Sequence, residues 1–313
     1  MKLNIIAITA GALLLTSCEK EIIVDVPPHE PKLTINSVTY TGDTISVMLG
    51  KSIDVLKHKY GTNLGVNNAV VQLQAGDKAA VTMKYDNTSG MYISDMVAEP
   101  GITYSVKAVA PGFKDVSGTT CAPRVVEIQS LQRIKDVRLD MDGNMQDELR
   151  LTFDDPAGEK NYYIVIISAS YMVNNYEETA YSGCVNTPDP SVETLYDESI
   201  DQNTCIESNG IFLRDELFDG KRKELRLFVR STDLQAVEMP GLGMVYPTIE
   251  IQHVTEEYFR YIKSSRYASV NSGNPFAEPS NVYTNIKDGF GIFSVSHSEV
   301  MEIKEDYVYI AGA

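Results

Sequence analysis

The sequence predicts a mainly β protein: an N-terminal immunoglobulin-like β-sandwich followed by a second β-rich domain with one covering helix. Three observations predict it. Short runs that alternate apolar and polar residues recur from Leu33 onward, the period-two signature of half-buried strands. Turn-forming Gly, Pro, Asn and Asp residues separate those runs. A helical pattern stands out in one stretch, Thr255–Tyr267.

The chain opens with Lys2 and the apolar run Ile5–Leu15, which is too short to span a bilayer comfortably. The run ends in Leu15-Thr16-Ser17-Cys18. A branched residue, two small residues and a cysteine resemble a bacterial lipoprotein signal, so residues 1–17 read as a removable signal peptide and Cys18 as the lipid-attachment residue. Each acyl methylene buried in a membrane contributes roughly 0.8 kcal/mol, so several chains on Cys18 would make a lasting anchor. Residues 18–31 then read as a lipidated tether, because Pro27, Pro28 and Pro31 fix extended backbone dihedrals. Glu19, Lys20 and Glu21 directly after the cysteine resemble the acidic signals that carry some Bacteroidota lipoproteins to the outer face of the outer membrane. Retention on the periplasmic face is the alternative.

Residues 32–124 carry about seven predicted strands, the number an immunoglobulin-like sandwich needs. Leu33–Ile35, Ile45–Leu49, Val70–Leu73 and Val81–Tyr85 come first. Asp86-Asn87-Thr88-Ser89-Gly90 predicts a hairpin turn into Met91-Tyr92-Ile93. Tyr104–Ala110 alternates until Pro111-Gly112, and Val116–Cys121 closes the set. Ser52–Asn68 has no period and reads as an exposed loop, equally suited to recognition or decoration.

Residues 125–313 continue with the strands Leu149–Phe153, Tyr162–Ser168, Leu225–Val229 and Ile249–Ile251. The helix from Thr255 has a capping hydroxyl, Glu256 and Glu257 at its positive end, and Tyr258, Phe259, Tyr261 and Ile262 clustered for burial against a sheet.

Beyond the helix, Gly273-Asn274-Pro275-Phe276-Ala277-Glu278-Pro279, then Asn285, Gly289 and Gly291, form a distinctive segment. Together with Phe153-Asp154-Asp155-Pro156-Ala157-Gly158-Glu159-Lys160-Asn161-Tyr162-Tyr163 and Leu217-Phe218-Asp219-Gly220-Lys221, it resembles the hallmark of a Bacteroidota lipoprotein family catalogued as domain of unknown function 4249. The resemblance spans nearly the whole chain after the signal. It implies an acidic lipoprotein terminus, an immunoglobulin-like domain and association with TonB-dependent outer-membrane transporters, and it supplies no catalytic set. The segment also has a plain physical reading: prolines that force extended backbone, glycines at turns that side chains would block, and Phe276 and Phe290 as plugs between sheets.

Besides Cys18 there are Cys121, Cys184 and Cys205. In an oxidising envelope Cys184 and Cys205 are the favoured disulfide, closing a loop over an acidic stretch and stabilising by roughly 3 kcal/mol, with pairings to Cys121 left open. Asp140–Glu148 places oxygen ligands at alternate positions but misses the EF-hand spacing, so a solvated turn is favoured over calcium. His29, His58, His253 and His297 are scattered and form no metal or hydrolase motif. No cofactor or metal is expected.

Hydrophobic residues at 43% and charged residues at 22% exclude global disorder. With 27 Lys and Arg against 43 Asp and Glu, the formal net charge of −16 argues against nucleic-acid partners. The expectation is therefore a binding or accessory protein on the outer membrane, attached by lipid and working with a TonB-dependent nutrient transporter. A surface glycan binder is the alternative, weakened because the chain has no Trp although it has 18 Tyr. A hydrolase with an unrecognised acid pair stands third.

Overall fold

The computed structural model of the chain describes residues 29–54, 59, 61–173, 176–181, 184–193, 206–207, 210–239, 241, 243–271, 281–304 and 308–310. Cys18, His58, Cys205 and the segment containing Gly273, Asn274, Pro275, Phe276, Glu278 and Pro279 lie outside the described residues. No helix among the described residues is long and apolar enough to cross a membrane.

The fold is mainly β. Its first strands are β1 (Leu33–Tyr40), β2 (Thr44–Lys51), β3 (Val70–Ala75), β4 (Val81–Thr82), β5 (Lys84–Asp86), β6 (Met91–Val97), β7 (Thr103–Val109) and β8 (Val116–Cys121). Then come β9 (Ile128–Leu139), β10 (Met145–Asp154), β11 (Tyr162–Val173), β12 (Tyr176–Tyr181), β13 (Cys184–Asn186), β14 (Val192–Glu193), β15 (Ile206–Glu207) and β16 (Ile211–Arg214). The chain continues through β17 (Arg222–Arg230), β18 (Val237–Met239), β19 (Gly243–Val245), β20 (Thr248–Val254), helix α1 (Glu256–Asn271), β21 (Phe290–Glu302) and β22 (Val308–Ile310).

One long sheet runs through the molecule in the order β14-β16-β11-β20-β21-β1-β2-β6-β5, with β12 on β11. It is the common wall of two sandwiches. Toward the N-terminal side it faces the four-stranded sheet β4-β3-β7-β8, and between them lie Leu33, Ile35, Val47, Leu73, Tyr104 and Val106. Toward the other side it faces β15-β13-β17-β10-β9-β22 across Leu149, Leu151, Phe153, Tyr163, Leu225 and Ile251. Alternation explains both cores, since β1 and β2 bury every second side chain. Each fully buried Leu, Ile or Phe contributes roughly 1.5–3 kcal/mol.

Strand β21 ties the halves together. Residues Phe290–Ser296 pair in parallel with β1, and His297–Glu302 pair antiparallel with β20. Ile286, Phe293 and Val295, near the C-terminal end, therefore complete the first core, while Met301 packs against the second. The chain passes from the first core to the second between Ala122 and Val126 and later returns. The first core is not complete without β21, whereas every residue of the second core lies at Val126 or beyond.

Helix α1 begins where predicted, with the Tyr258 N–H donating to the Thr255 hydroxyl at 3.2 Å, and runs on to Asn271. Phe259 wedges between the Tyr162 and Phe212 rings, whose centroids lie 5.2 and 5.3 Å away. The predicted single strand Val81–Tyr85 is instead two. Val81 and Thr82 pair with β3, Lys84–Asp86 pair with β6, and Met83 turns into the core as the chain changes sheets. Alternation reads the same across such a crossover, so the sequence conceals it. Ser52–Asn68 is a loop over its described residues, pinned by the Tyr92 hydroxyl, which donates to the Val66 carbonyl and accepts the Ala69 N–H, both at 3.0 Å.

Candidate functional site

A cleft of about 670 Å3 opens at the junction of the two sandwiches. Four pieces of chain wall it: the entry to β7 (Gly101 and Thr103), the end of β8 with the linker to β9 (Thr119–Arg124), the loop before β11 (Glu159–Tyr162), and the end of β20 with the start of α1 (His253–Glu257). Arg124 and Glu159 reach across it in a 3.1 Å ion pair whose side chains are 65% and 43% exposed. Such a pair orients more than it stabilises. Lys160, Glu256 and Glu257 also line the cleft, so it offers charges of both signs.

Beneath the cleft floor is a buried polar network. His253 shares hydrogen bonds with the Arg124 carbonyl at 2.9 Å and the Asn161 amide oxygen at 3.0 Å, and its ring stacks on Tyr163 with centroids 4.9 Å apart. Asn161 in turn donates through its amide nitrogen to the Pro156 carbonyl at 2.8 Å and to Asp215 at 3.2 Å. Tyr163 donates to Asp155 at 2.5 Å, and the Gly220 N–H donates to the same carboxylate at 2.8 Å. Asp219 accepts the Gly158 N–H at 2.9 Å. The two loops are thereby sewn together.

Asp155, Asp215 and Asp219 bring carboxylate oxygens within 4.8 Å of one another. Burial raises the pKa of both Asp155 and Asp215, and the negative charge of their neighbours raises them further. The two buried carboxylates already accept O–H and N–H donors that fix the loops, so the arrangement reads as a structural pin. Asp155 and Asp219 belong to Phe153–Tyr163 and Leu217–Lys221, two of the segments that carried the family resemblance, and Asp215 lies just before the second. Sequence reasoning assigned them no role, because Asp155 and Asp215 are distant along the chain and only β-pairing brings them together.

Burial pushes His253 down to about 4, against the pull of the Arg124 carbonyl. A folded pKa below the usual 6.5 means that His253 contributes stability present above pH 6.5 and lost as the pH falls through about 4. By linkage that is roughly 3 kcal/mol in all. Asp155 and Asp215 act with the opposite sign: with raised pKa values, their contribution is full at low pH and is lost as the pH rises. His253→Phe keeps a ring against Tyr163 and is expected to remove the acid-side loss between pH 6.5 and about 4.5. Urea unfolding of wild type and variant across that range checks it; parallel curves would refute it.

Of the predicted hallmark residues, three are described and all three have structural work. Asn285 uses its side chain as a strand edge: its amide nitrogen donates to the Phe293 carbonyl at 2.8 Å and its amide oxygen accepts the Phe293 N–H at 3.0 Å. The same amide nitrogen reaches the Thr119 carbonyl of β8 at 3.4 Å, bridging the two sheets. A Cβ on Gly289 would lie 2.6 Å from the Leu33 carbonyl oxygen, and one on Gly291 2.0 Å from that of Ile35. Phe290 is not the predicted plug. Its ring is 41% exposed beneath the Lys32 ammonium, while Phe293, on the opposite face of the pleat, fills the gap between sheets.

Cys184 is disulfide-bonded and Cys121 is a free, exposed thiol. Cys205, the predicted partner of Cys184, lies outside the described residues. Asp140–Glu148 forms the β9–β10 hairpin, and its acids meet arginines: Arg230 donates to Asp140 and Asp142, both at 2.9 Å, and Arg150 to Glu148 at 3.1 Å. The Asp140 oxygens also accept the Asp142 and Asn144 N–H groups. His29 bonds Ser52 at 2.9 Å and His297 bonds Thr41 at 2.7 Å; the ladder also sets His297 directly opposite His253, so these two histidines, scattered in the sequence, are cross-strand neighbours.

Two sandwiches that share one sheet and meet at a charged cleft define a mainly β protein with an open cleft at its junction. The chain belongs to the family described as domain of unknown function (DUF4249), which matches residues 19–301. No curated protein matches it.

Proposed function

We propose that the protein is a lipid-anchored cell-envelope binding protein, held to the outer membrane through Cys18, facing the cell surface and acting as an accessory to a TonB-dependent nutrient transporter. It binds and does not catalyse. The observation that carries this reading is the junction cleft, open enough for a ligand or partner segment, with walls fixed by one continuous sheet and a buried hydrogen-bond network beneath. The ionisable groups under the cleft floor are engaged in holding loops, which favours recognition over proton transfer. The lipid address rests on Leu15-Thr16-Ser17-Cys18 and the proline-bearing tether.

Membranes from cells producing the full chain provide the test. Mass analysis is expected to find acyl chains on Cys18, and a cross-linker attached to the exposed Cys121 is expected to capture an outer-membrane transporter. An unmodified Cys18 would defeat the anchor, and cross-linking to no transporter would defeat the partner assignment. A second reading, glycan binding, is favoured by one feature: a shallow hollow of about 330 Å3 on the outer face of β3, β7 and β8, lined by Gln72, Gln74, Ser105, Lys107, Ser117 and Thr119.

A further inference from the structure

The outer edge of β8 is covered along only part of its length. Thr103 lies opposite Cys121, but its carbonyl is taken by the Gly76 N–H at 2.8 Å, on the side of β3. The groups that close the ladder there belong to Ala122, whose N–H donates to Ile102 and whose carbonyl accepts from Gly101, both at 2.9 Å. The main-chain groups of Ser117, Thr119 and Cys121 therefore point away from β7. Lys287 covers Ser117 through reciprocal hydrogen bonds, and Asn285 reaches the Thr119 carbonyl. After Asn285 the neighbouring chain leaves the edge, because the Tyr283 N–H turns to the Ser264 hydroxyl at 2.8 Å. Among the described residues, the N–H and C=O of Cys121 have no partner at the wall of the junction cleft.

We infer that the cleft receives an extended polypeptide segment of a partner, which continues the β8 edge by pairing with Cys121 and Thr119. Strand addition takes its affinity from main-chain hydrogen bonds and its selectivity from side-chain contacts at the rim. Here Arg124 and Lys160 would meet an acidic residue, and Glu256 and Glu257 a basic one. An unpaired donor and acceptor side by side on a strand edge match a peptide backbone better than they match a sugar ring. The inference deepens the binding function proposed above and rests on its choice of the cleft, not on the identity of the transporter.

The test uses the full chain purified in detergent, so that it stands or falls apart from any transporter. A phage library of random 12-residue peptides is panned against it, and recovered peptides are synthesised and titrated by fluorescence anisotropy. Bound peptide is expected to protect Cys121 from maleimide labelling. Cys121→Pro, which removes the outward N–H at an edge position that tolerates proline, is expected to weaken binding at least tenfold. Because that variant could disturb folding, the exposed Lys160→Glu is measured beside it and is expected to weaken acidic peptides at least fivefold. Absence of enriched peptides, binding that leaves Cys121 reactive and both variants unaffected, or protection of Cys121 by array oligosaccharides in place of peptides would each overturn the inference.

Discussion

Gly291→Val is expected to unfold the protein or bring it to the edge of unfolding. Gly291 sits in β21 opposite Ile35 of β1, at φ +101, and a Cβ there would lie 2.0 Å from the Ile35 carbonyl oxygen and 2.9 Å from the Asn36 side chain. The clash is with backbone in the parallel pair that joins the two sandwiches, so no side chain can swing aside to relieve it. Forcing a β-branched residue into that dihedral region costs on the order of 1–3 kcal/mol before the clash is counted. Displacing β1 would also open the core around Leu33, Ile35 and Phe293. The sum exceeds about 4 kcal/mol, which only a few named mechanisms reach, against a total stability of about 5–15 kcal/mol for an ordinary domain. Gly42→Ala is the control: φ is +95 there too, but a Cβ meets nothing within 4 Å. It should show the dihedral cost alone, about 1 kcal/mol. Denaturant midpoints decide the matter, and similar midpoints for the two variants would rule out the close approach at Gly291.

The glycine could be flagged from sequence as a turn-permitting residue, but its true constraint could not. The close approach comes from a parallel pairing between strands at opposite ends of the chain, and no local pattern announces that. The same reason separates what was readable from what was not elsewhere. Alternation in Leu33–Ile35, Tyr104–Ala110 and Leu149–Phe153 was enough to place strands, and Thr255 before two glutamates was enough to start the helix, because those signals are local. Alternation does not say which sheet a strand joins, so Val81–Tyr85 looked continuous and Phe290 looked like a plug. The site was the least visible part. Its walls come from four separate stretches, and among the described residues the edge at Cys121 is open because Asn285 offers a side chain in place of a strand and Tyr283 turns away.

The second large effect belongs to a buried ion pair in the C-terminal sandwich. Asp147→Ala is expected to cost about 3–5 kcal/mol, because it strands the charge of Arg133 in the interior. The two side chains are 1% and 4% exposed, and both Nε and Nη2 of Arg133 lie 2.7 Å from the same Asp147 oxygen. The other carboxylate oxygen accepts the Asp136 N–H at 3.1 Å and the Ser231 hydroxyl. Burial alone would raise the Asp147 carboxyl; the Ser231, Asp136 and Arg133 hydrogen bonds outweigh it and hold the pKa below the usual value. The contribution is therefore present above the unfolded carboxylate range and lost as acid protonates Asp147. Arg133 also donates to the Leu234 carbonyl at 2.8 Å, so the pair anchors the turn that follows β17 to the β9–β10 hairpin. What makes Asp147 expensive to lose is the partner left behind, not the attraction itself. Combining Asp147→Leu with Arg133→Met should accordingly recover most of the stability lost in either single variant. A double-mutant cycle in urea measures this directly, and a double variant as unstable as the sum of the singles would show that the two side chains act independently and that no stranded charge causes the loss.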